Sequence, residues 1–233
     1  MGFAKMRVPL IYAPSEEMNI EQARFNMIEQ QIRPWNVLDK DVLDMLLVVK
    51  RENYFPEEQK SMAFFDTELP LPGGHKAMFP RVEARVMQEV LVKKQESVLL
   101  LGAASGYLAA LLAHAGRHVT VLEADAGLKA LAEKNLAADG VRNVTLLNVN
   151  GLTAEQSGRF DVIVVAGGLN QLPEQLQKQL NVGGRLLAFV GELPMMRALL
   201  ITRVSDTAFT SKEVFDTVLP LLPGATPASK FSF

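Results

Sequence analysis

A chain of 233 residues, 48% of them hydrophobic, can bury a sizeable core as one domain with an N-terminal extension. Its net charge of −2, with no block of like charge, argues against a general affinity for nucleic acid or membrane surfaces. The lack of cysteine excludes disulfides, thiolate metal sites and a cysteine nucleophile. The three histidines, His75, His114 and His118, show no metal-binding spacing.

Residues 1–18 carry Pro9 and Pro14 without a clear period and read as an extended arm. Its apolar Phe3, Val8, Leu10, Ile11 and Tyr12 can pack on their own domain or on a partner chain. The N-terminus lacks the long apolar core of a secretory signal, and the longest apolar run, 98–113, is broken by Gly102, Ser105 and Gly106. The cytoplasm is the expected compartment.

A helix is expected from Asn19, as cap, to Pro34, with Ile20, Ala23, Phe25, Met27, Ile28 and Ile32 on its apolar face. A second starts at Asp39 and runs to about Lys50. Residues 52–80 hold six Pro or Gly turn signals and read as a long irregular segment of the kind that often carries function. Pro80 opens a further helix.

Beyond Lys94, short apolar runs alternate with helical ones. Strands are expected at 98–101, 118–122, 144–148, 161–165, 185–190, 199–204 and 213–219, and helices at 105–115, 127–139 and 173–180. Continuous apolar strands between helices indicate an α/β fold, a doubly wound and mostly parallel seven-stranded sheet. The last two strands, with no helix between them, suggest an antiparallel hairpin at one edge. Division falls at residue 80: arm, helices and irregular segment before it, the α/β unit 81–233 after it.

The run 97–106, SVLLLGAASG, is a strand, a small-residue turn and a helix start. Small residues allow close approach of a ligand to the backbone, and the helix N-terminus offers free N–H groups. The next strand ends in Glu123, 21 positions after Gly102, where an acid can bind a ribose diol. A dinucleotide fingerprint needs glycine at positions held here by Ala104 and Tyr107, so S-adenosylmethionine fits better. Gly102, Ala104, Ser105, Gly106, Glu123 and Ala124 form the expected cofactor cradle. Asn150 and Gly151, after the third strand, would face adenine. A small-residue loop at 166–168 and a Gly183-Gly184 turn complete the strand ends.

In order and spacing these elements resemble the protein-L-isoaspartate O-methyltransferases over about residues 20–222. Five segments carry the resemblance: MIEQQIR…VLDMLLVVKRENYFP; DTELPLPGGHKAMFP; VLLLGAASGY followed by VTVLE; FDVIVVAGG…LPEQLQKQLNVGGRLLAFVG; and FTSKEVFDTVLPLLPG. The resemblance implies a class I S-adenosylmethionine-dependent methyltransferase fold, S-adenosylmethionine as cofactor, and protein substrates carrying isoaspartyl residues. In that family the free α-carboxyl is methylated and a succinimide follows, which returns some normal aspartate. An ionised carboxylate needs no strong base.

The family's substrate loop reads approximately L-P-I-G-x-G-Q-T-I-S-Q-P. Here Met78 stands at the serine, Lys76 at the threonine and His75 at the glutamine. Methionine cannot donate a hydrogen bond to a carboxylate. Leu100 replaces an acid before the first glycine of the turn, Ala104 its middle glycine, and Asn150 the acid of the adenine loop. Lys76 and His75 can bind an anionic substrate or simply be solvated. Three functions follow: an isoaspartyl methyltransferase with an altered loop, a non-catalytic cofactor-binding relative, or a methyltransferase of another carboxylate or small molecule.

Overall fold

The computed structural model describes residues 20–154 and 158–225. The N-terminal arm and the Asn19 cap expected above lie outside them. Seven strands form one sheet in the order β3-β2-β1-β4-β5-β6-β7. They are β1 (Ser97–Leu101), β2 (His118–Leu122), β3 (Val144–Leu147), β4 (Phe160–Leu169), β5 (Leu180–Glu192), β6 (Met195–Arg203) and β7 (Phe209–Thr217). The first five pair in parallel, and β5-β6-β7 run antiparallel. The expected mostly parallel sheet with an antiparallel edge is therefore present, though its antiparallel part takes in β5 as well as the last two strands.

Helices α1 (Ile20–Met27), α2 (Lys40–Val48), α3 (Pro80–Val90), α4 (Tyr107–Ala115), α5 (Ala126–Ala138) and α6 (Glu174–Lys178) complete the fold. None is long and apolar enough to cross a membrane among the described residues. Asp39 caps α2 as expected, its side chain accepting from the Val42 N–H. Helix α4 is apolar on every side, and Tyr107 to Ala113 are all buried between the sheet and its neighbouring helices. Side chains alternate along β1: Val98 and Leu100 join the core beneath α3 and α4, while Leu99 and Leu101 join the opposite one.

Four expectations change. The first helix does not run to Pro34; α1 passes into a π turn, Ile28–Ile32, then a 3-10 turn, Arg33–Trp35, which admits proline at its start. Its buried stripe is Arg24, Met27, Ile28 and Ile32, and Ile20 and Phe25 are exposed. Phe25 lies one position off the inward 3–4 spacing, and Arg24 is buried because it meets Glu52. Residues 166–168 are not a loop but the end of β4, with a bulge between Val164 and Gly168. Gly183-Gly184 likewise lies within β5, where Gly183 takes φ +82°. A Cβ at Gly184 would lie 2.9 Å from the carbonyl oxygens of Asn181 and Asp161.

Candidate functional site

Sheet topology brings the carboxyl ends of β1, β2 and β4 together, where open α/β sheets bind ligands. The turn after β1 is tightly coiled: Gly102 has φ +92°, Ala104 φ +47° and Gly106 φ +92°. A Cβ at Gly102 would come within 3.3 Å of the Ala166 carbonyl oxygen, so glycine lets the turn lie against β4. Ala104 occupies the left-handed region with a methyl group, which costs about 1–2 kcal/mol.

Glu123 ties this turn to α5. Its Oε2 accepts from the Ala103 N–H at 2.7 Å and its Oε1 from the Asp125 N–H at 2.9 Å, in an almost fully buried side chain. A carboxylate has about four acceptor positions, so two remain for a ligand. Asp125 caps α5 by accepting from the Leu128 N–H at 2.8 Å. That bond, opposed by desolvation and helped by Gly127 and His75, holds its carboxyl below the usual range.

Segment 66–80 lies across this turn as a hairpin. The Leu71 N–H donates to the His75 carbonyl and the Ala77 N–H to the Leu69 carbonyl, both at 2.8 Å, around Gly73 and Gly74 with positive φ. Its base is fixed by Arg51, which donates to Glu83 Oε2 (2.9 Å), the Ala63 carbonyl (2.8 Å) and the Met78 carbonyl (2.8 Å). The guanidinium sits 4.9 Å over the Phe55 ring. Burial pushes the Glu83 carboxyl up, against the pull of Arg51. At the tip, His75 Nε2 stands 3.5 Å from Asp125 Oδ2, and Lys76 Nζ donates to Glu68 Oε2 at 3.2 Å. Neither side chain is merely solvated; each has an acidic partner within the chain.

Loop and turn enclose a recess of about 260 Å³. Its walls include Gly74, His75, Lys76 and Met78 from the hairpin, and Gly102, Ala104 and Glu123 from the cradle. Met78 is buried, so a thioether forms part of the wall. Through Glu68, Leu219 and Leu221 the recess adjoins a larger apolar groove of about 690 Å³ beside Phe79, Met196 and Val218.

The end of the cradle expected to face the nucleoside is different. Gly102, Glu123, Ala124, Asn150 and Gly151 do converge there, but only about 20 Å³ stays open beside Leu222 and Pro223. Asn150 is engaged: its Nδ2 donates to the Pro223 carbonyl at 3.0 Å and its Oδ1 accepts from the Leu152 N–H at 2.9 Å. Ser105 and Gly106 line neither space. Ser105 is buried, with its carbonyl bonded by Asn135 Nδ2 at 2.9 Å, and a Cβ at Gly106 would meet the Ala132 backbone at 3.3 Å. Leu100 is fully buried in the apolar core, a setting where an unpaired carboxylate would be costly.

Sequence reasoning missed Arg51, Glu68 and the segment 219–223, and it placed Ala166 at the strand ends but in a loop rather than in β4. Pro220 and the Pro223-Gly224 pair signal a break after β7, but no local pattern tells where the chain goes next.

A family model described as protein-L-isoaspartate(D-aspartate) O-methyltransferase matches residues 22–221. The protein-L-isoaspartate O-methyltransferase of Rhodopseudomonas palustris (strain ATCC BAA-98 / CGA009) is 34% identical over 199 residues, 84% of this chain and 91% of that protein. Protein-L-isoaspartate O-methyltransferase 2 of Marinobacter nauticus (strain ATCC 700491 / DSM 11845 / VT8) is 34% identical over 207 residues, 88% and 94% of the two chains. A crystal structure from Plasmodium falciparum, described as a beta-aspartate methyltransferase (PCMT) in complex with S-adenosyl-L-homocysteine, is similar with TM-score 0.76 at 21% identity, over 89% of this chain and 99% of that one.

Proposed function

This chain belongs to the protein-L-isoaspartate(D-aspartate) O-methyltransferase family, and we propose that it is an S-adenosylmethionine-dependent carboxyl methyltransferase with an altered acceptor end. One observation carries the reading: a single recess has the substrate hairpin as one wall and the β1–α4 turn with Glu123 as the other. When bound, the cofactor supplies a sulfonium methyl.

The chain's own residues have three tasks. Glu123 accepts from a ribose hydroxyl with its remaining acceptor positions. Gly102 and Ala166 keep the floor low enough for close approach. The hairpin walls the recess from water and orients an ionised acceptor oxygen, the main requirement for an in-line displacement. Lys76 and His75 are the donors available to such an acceptor, each after partial release from Glu68 or Asp125.

The finer assignment is repair of isoaspartyl residues in proteins. Met78 favours a weak form of it, because the wall offers a thioether where a hydroxyl would donate to the carboxylate. The same residue favours the second reading, a family member that binds the cofactor without methylating isoaspartyl groups.

Calorimetry with S-adenosylhomocysteine, alongside transfer of labelled methyl groups to an isoaspartyl peptide, separates these readings. The expected result is binding, a loss of about tenfold or more in Glu123→Ala, and transfer well below that of a family member with the serine. Binding without transfer selects the second reading. Transfer at the full family rate refutes the altered acceptor end, and no heat at millimolar ligand refutes the cofactor site.

A further inference from the structure

At the nucleoside end of the cradle, chemistry and space disagree. Gly102 and Glu123 border the 260 Å³ recess together with Leu222 and Pro223, yet where they meet Ala124, Asn150 and Gly151 about 20 Å³ is open, against roughly 300–1,000 Å³ for a typical small-molecule site. The chain itself takes up the room. After β7 it turns back over β4: the Gly168 N–H donates to the Pro220 carbonyl at 2.8 Å, and the Leu222 N–H to the Gly168 carbonyl at 3.0 Å.

The Leu222 side chain lies against Gly102 of the cradle and Gly167 of β4. A Cβ at Gly167 would come within 2.6 Å of it, and one at Gly102 within 3.5 Å. Pro223 then takes the Asn150 amide. Gly224, at φ +87°, lets the backbone pass so close that a Cβ there would stand 2.8 Å from Asn150 Nδ2.

We propose that segment 219–225 is a strap that competes with the nucleoside end of the cofactor for the cradle, a regulation of the methyltransferase site proposed above. In the closed form Leu222 covers the floor at Gly102 and Pro223 satisfies Asn150. Binding requires the strap to lift, which frees the floor and returns the Asn150 amide to a ligand. A ligand that binds only the open form has its affinity reduced by the open fraction, so a strap open about one-tenth of the time weakens binding about tenfold. The strap also reaches the acceptor side, since Leu219 and Leu221 wall both the recess and the apolar groove. Cofactor binding and the shape of the acceptor groove are thereby coupled through one short segment.

The test uses the full chain with S-adenosylhomocysteine as probe. Leu222→Ala removes the side chain over the floor, and Gly224→Ala strains the strap at its closest approach to Asn150. Both are expected to bind the probe at least fivefold more tightly than the parent in calorimetry. In the parent, saturating probe is expected to speed hydrogen exchange at the Leu222 and Ala225 amides, which are protected by bonds to the Gly168 and Leu222 carbonyls. Equal or weaker binding by both variants, or unchanged or slowed exchange, overturns the strap. Micromolar binding shared equally by parent and variants overturns the strap and leaves the cofactor site standing. Failure of all three proteins to bind at millimolar probe overturns both.

Discussion

Arg51 grips Met78 by its carbonyl oxygen, at 2.8 Å, and leaves the side chain to line the recess. The backbone of the hairpin base is thus set by a buried cation whose charge is balanced by Glu83 at 2.9 Å. Arg51→Met removes the clamp and strands a carboxyl in the core. A loss of about 3–5 kcal/mol is expected in urea unfolding, and adding Glu83→Leu should recover much of it, because an apolar pair avoids the desolvation cost.

Ala104 is the left-handed residue of the β1–α4 turn, at φ +47°. Glycine there removes a strain of about 1–2 kcal/mol and costs roughly 0.4–1 kcal/mol through the freer unfolded chain. The expected net gain from Ala104→Gly is about 0.5–1 kcal/mol, seen as a higher Tm. A lower Tm would show that the methyl packs well enough to offset its backbone strain.

Asp161, at the start of β4, accepts from the Ser97 N–H at 2.8 Å, the Ser97 hydroxyl at 2.9 Å and Asn181 Nδ2 at 2.7 Å. Partial burial works to raise its pKa, but the bonds from Ser97 and Asn181 prevail and hold it below the ordinary value. A depressed carboxyl stabilises the fold above its unfolded pKa, about 3.9. That contribution is lost as pH falls through the lower folded value. Asp161→Asn should lower stability at neutral pH and flatten the decline below about pH 4. Thermal melts across that interval check it, and parallel acid limbs would contradict it.

The proposed acceptor end is tested by introducing the serine and threonine that the resemblance implies. Met78→Ser with Lys76→Thr adds a hydroxyl donor to the recess wall and frees Glu68 from its cation. A hydrogen bond to a charged acceptor is worth about 1.5–3 kcal/mol, so isoaspartyl methylation should rise about ten- to a hundredfold. It is measured as labelled methyl transferred to an isoaspartyl peptide. No rise would place the limit elsewhere in the site.

Much of the architecture is legible from short-range pattern. Strand β2 begins and ends where its apolar alternation does, and the turn with Glu123 is visible because glycine freedom and an acid at a strand end are local properties. The exceptions depend on long-range partners. Arg24 reads as a solvent residue until Glu52, 28 positions away, meets it in the core. Gly167 and Gly168 read as loop because glycine is rare in strands, and they extend β4 because β5 on one side and Pro220 to Leu222 on the other supply hydrogen bonds. The strap was illegible for the same reason. Nothing within Leu221-Leu222-Pro223-Gly224 names Asn150 as its partner.

The contact between Gly106 and the Ala132 backbone separates two selective pressures on one motif. A side chain at residue 106 would strain a backbone at φ +92° and crowd the Ala132 backbone of α5 at 3.3 Å whether or not any ligand ever binds, so stability alone favours that glycine. In this chain Gly106 is therefore held by packing as much as by any ligand, and the hairpin and strap are better places to test activity.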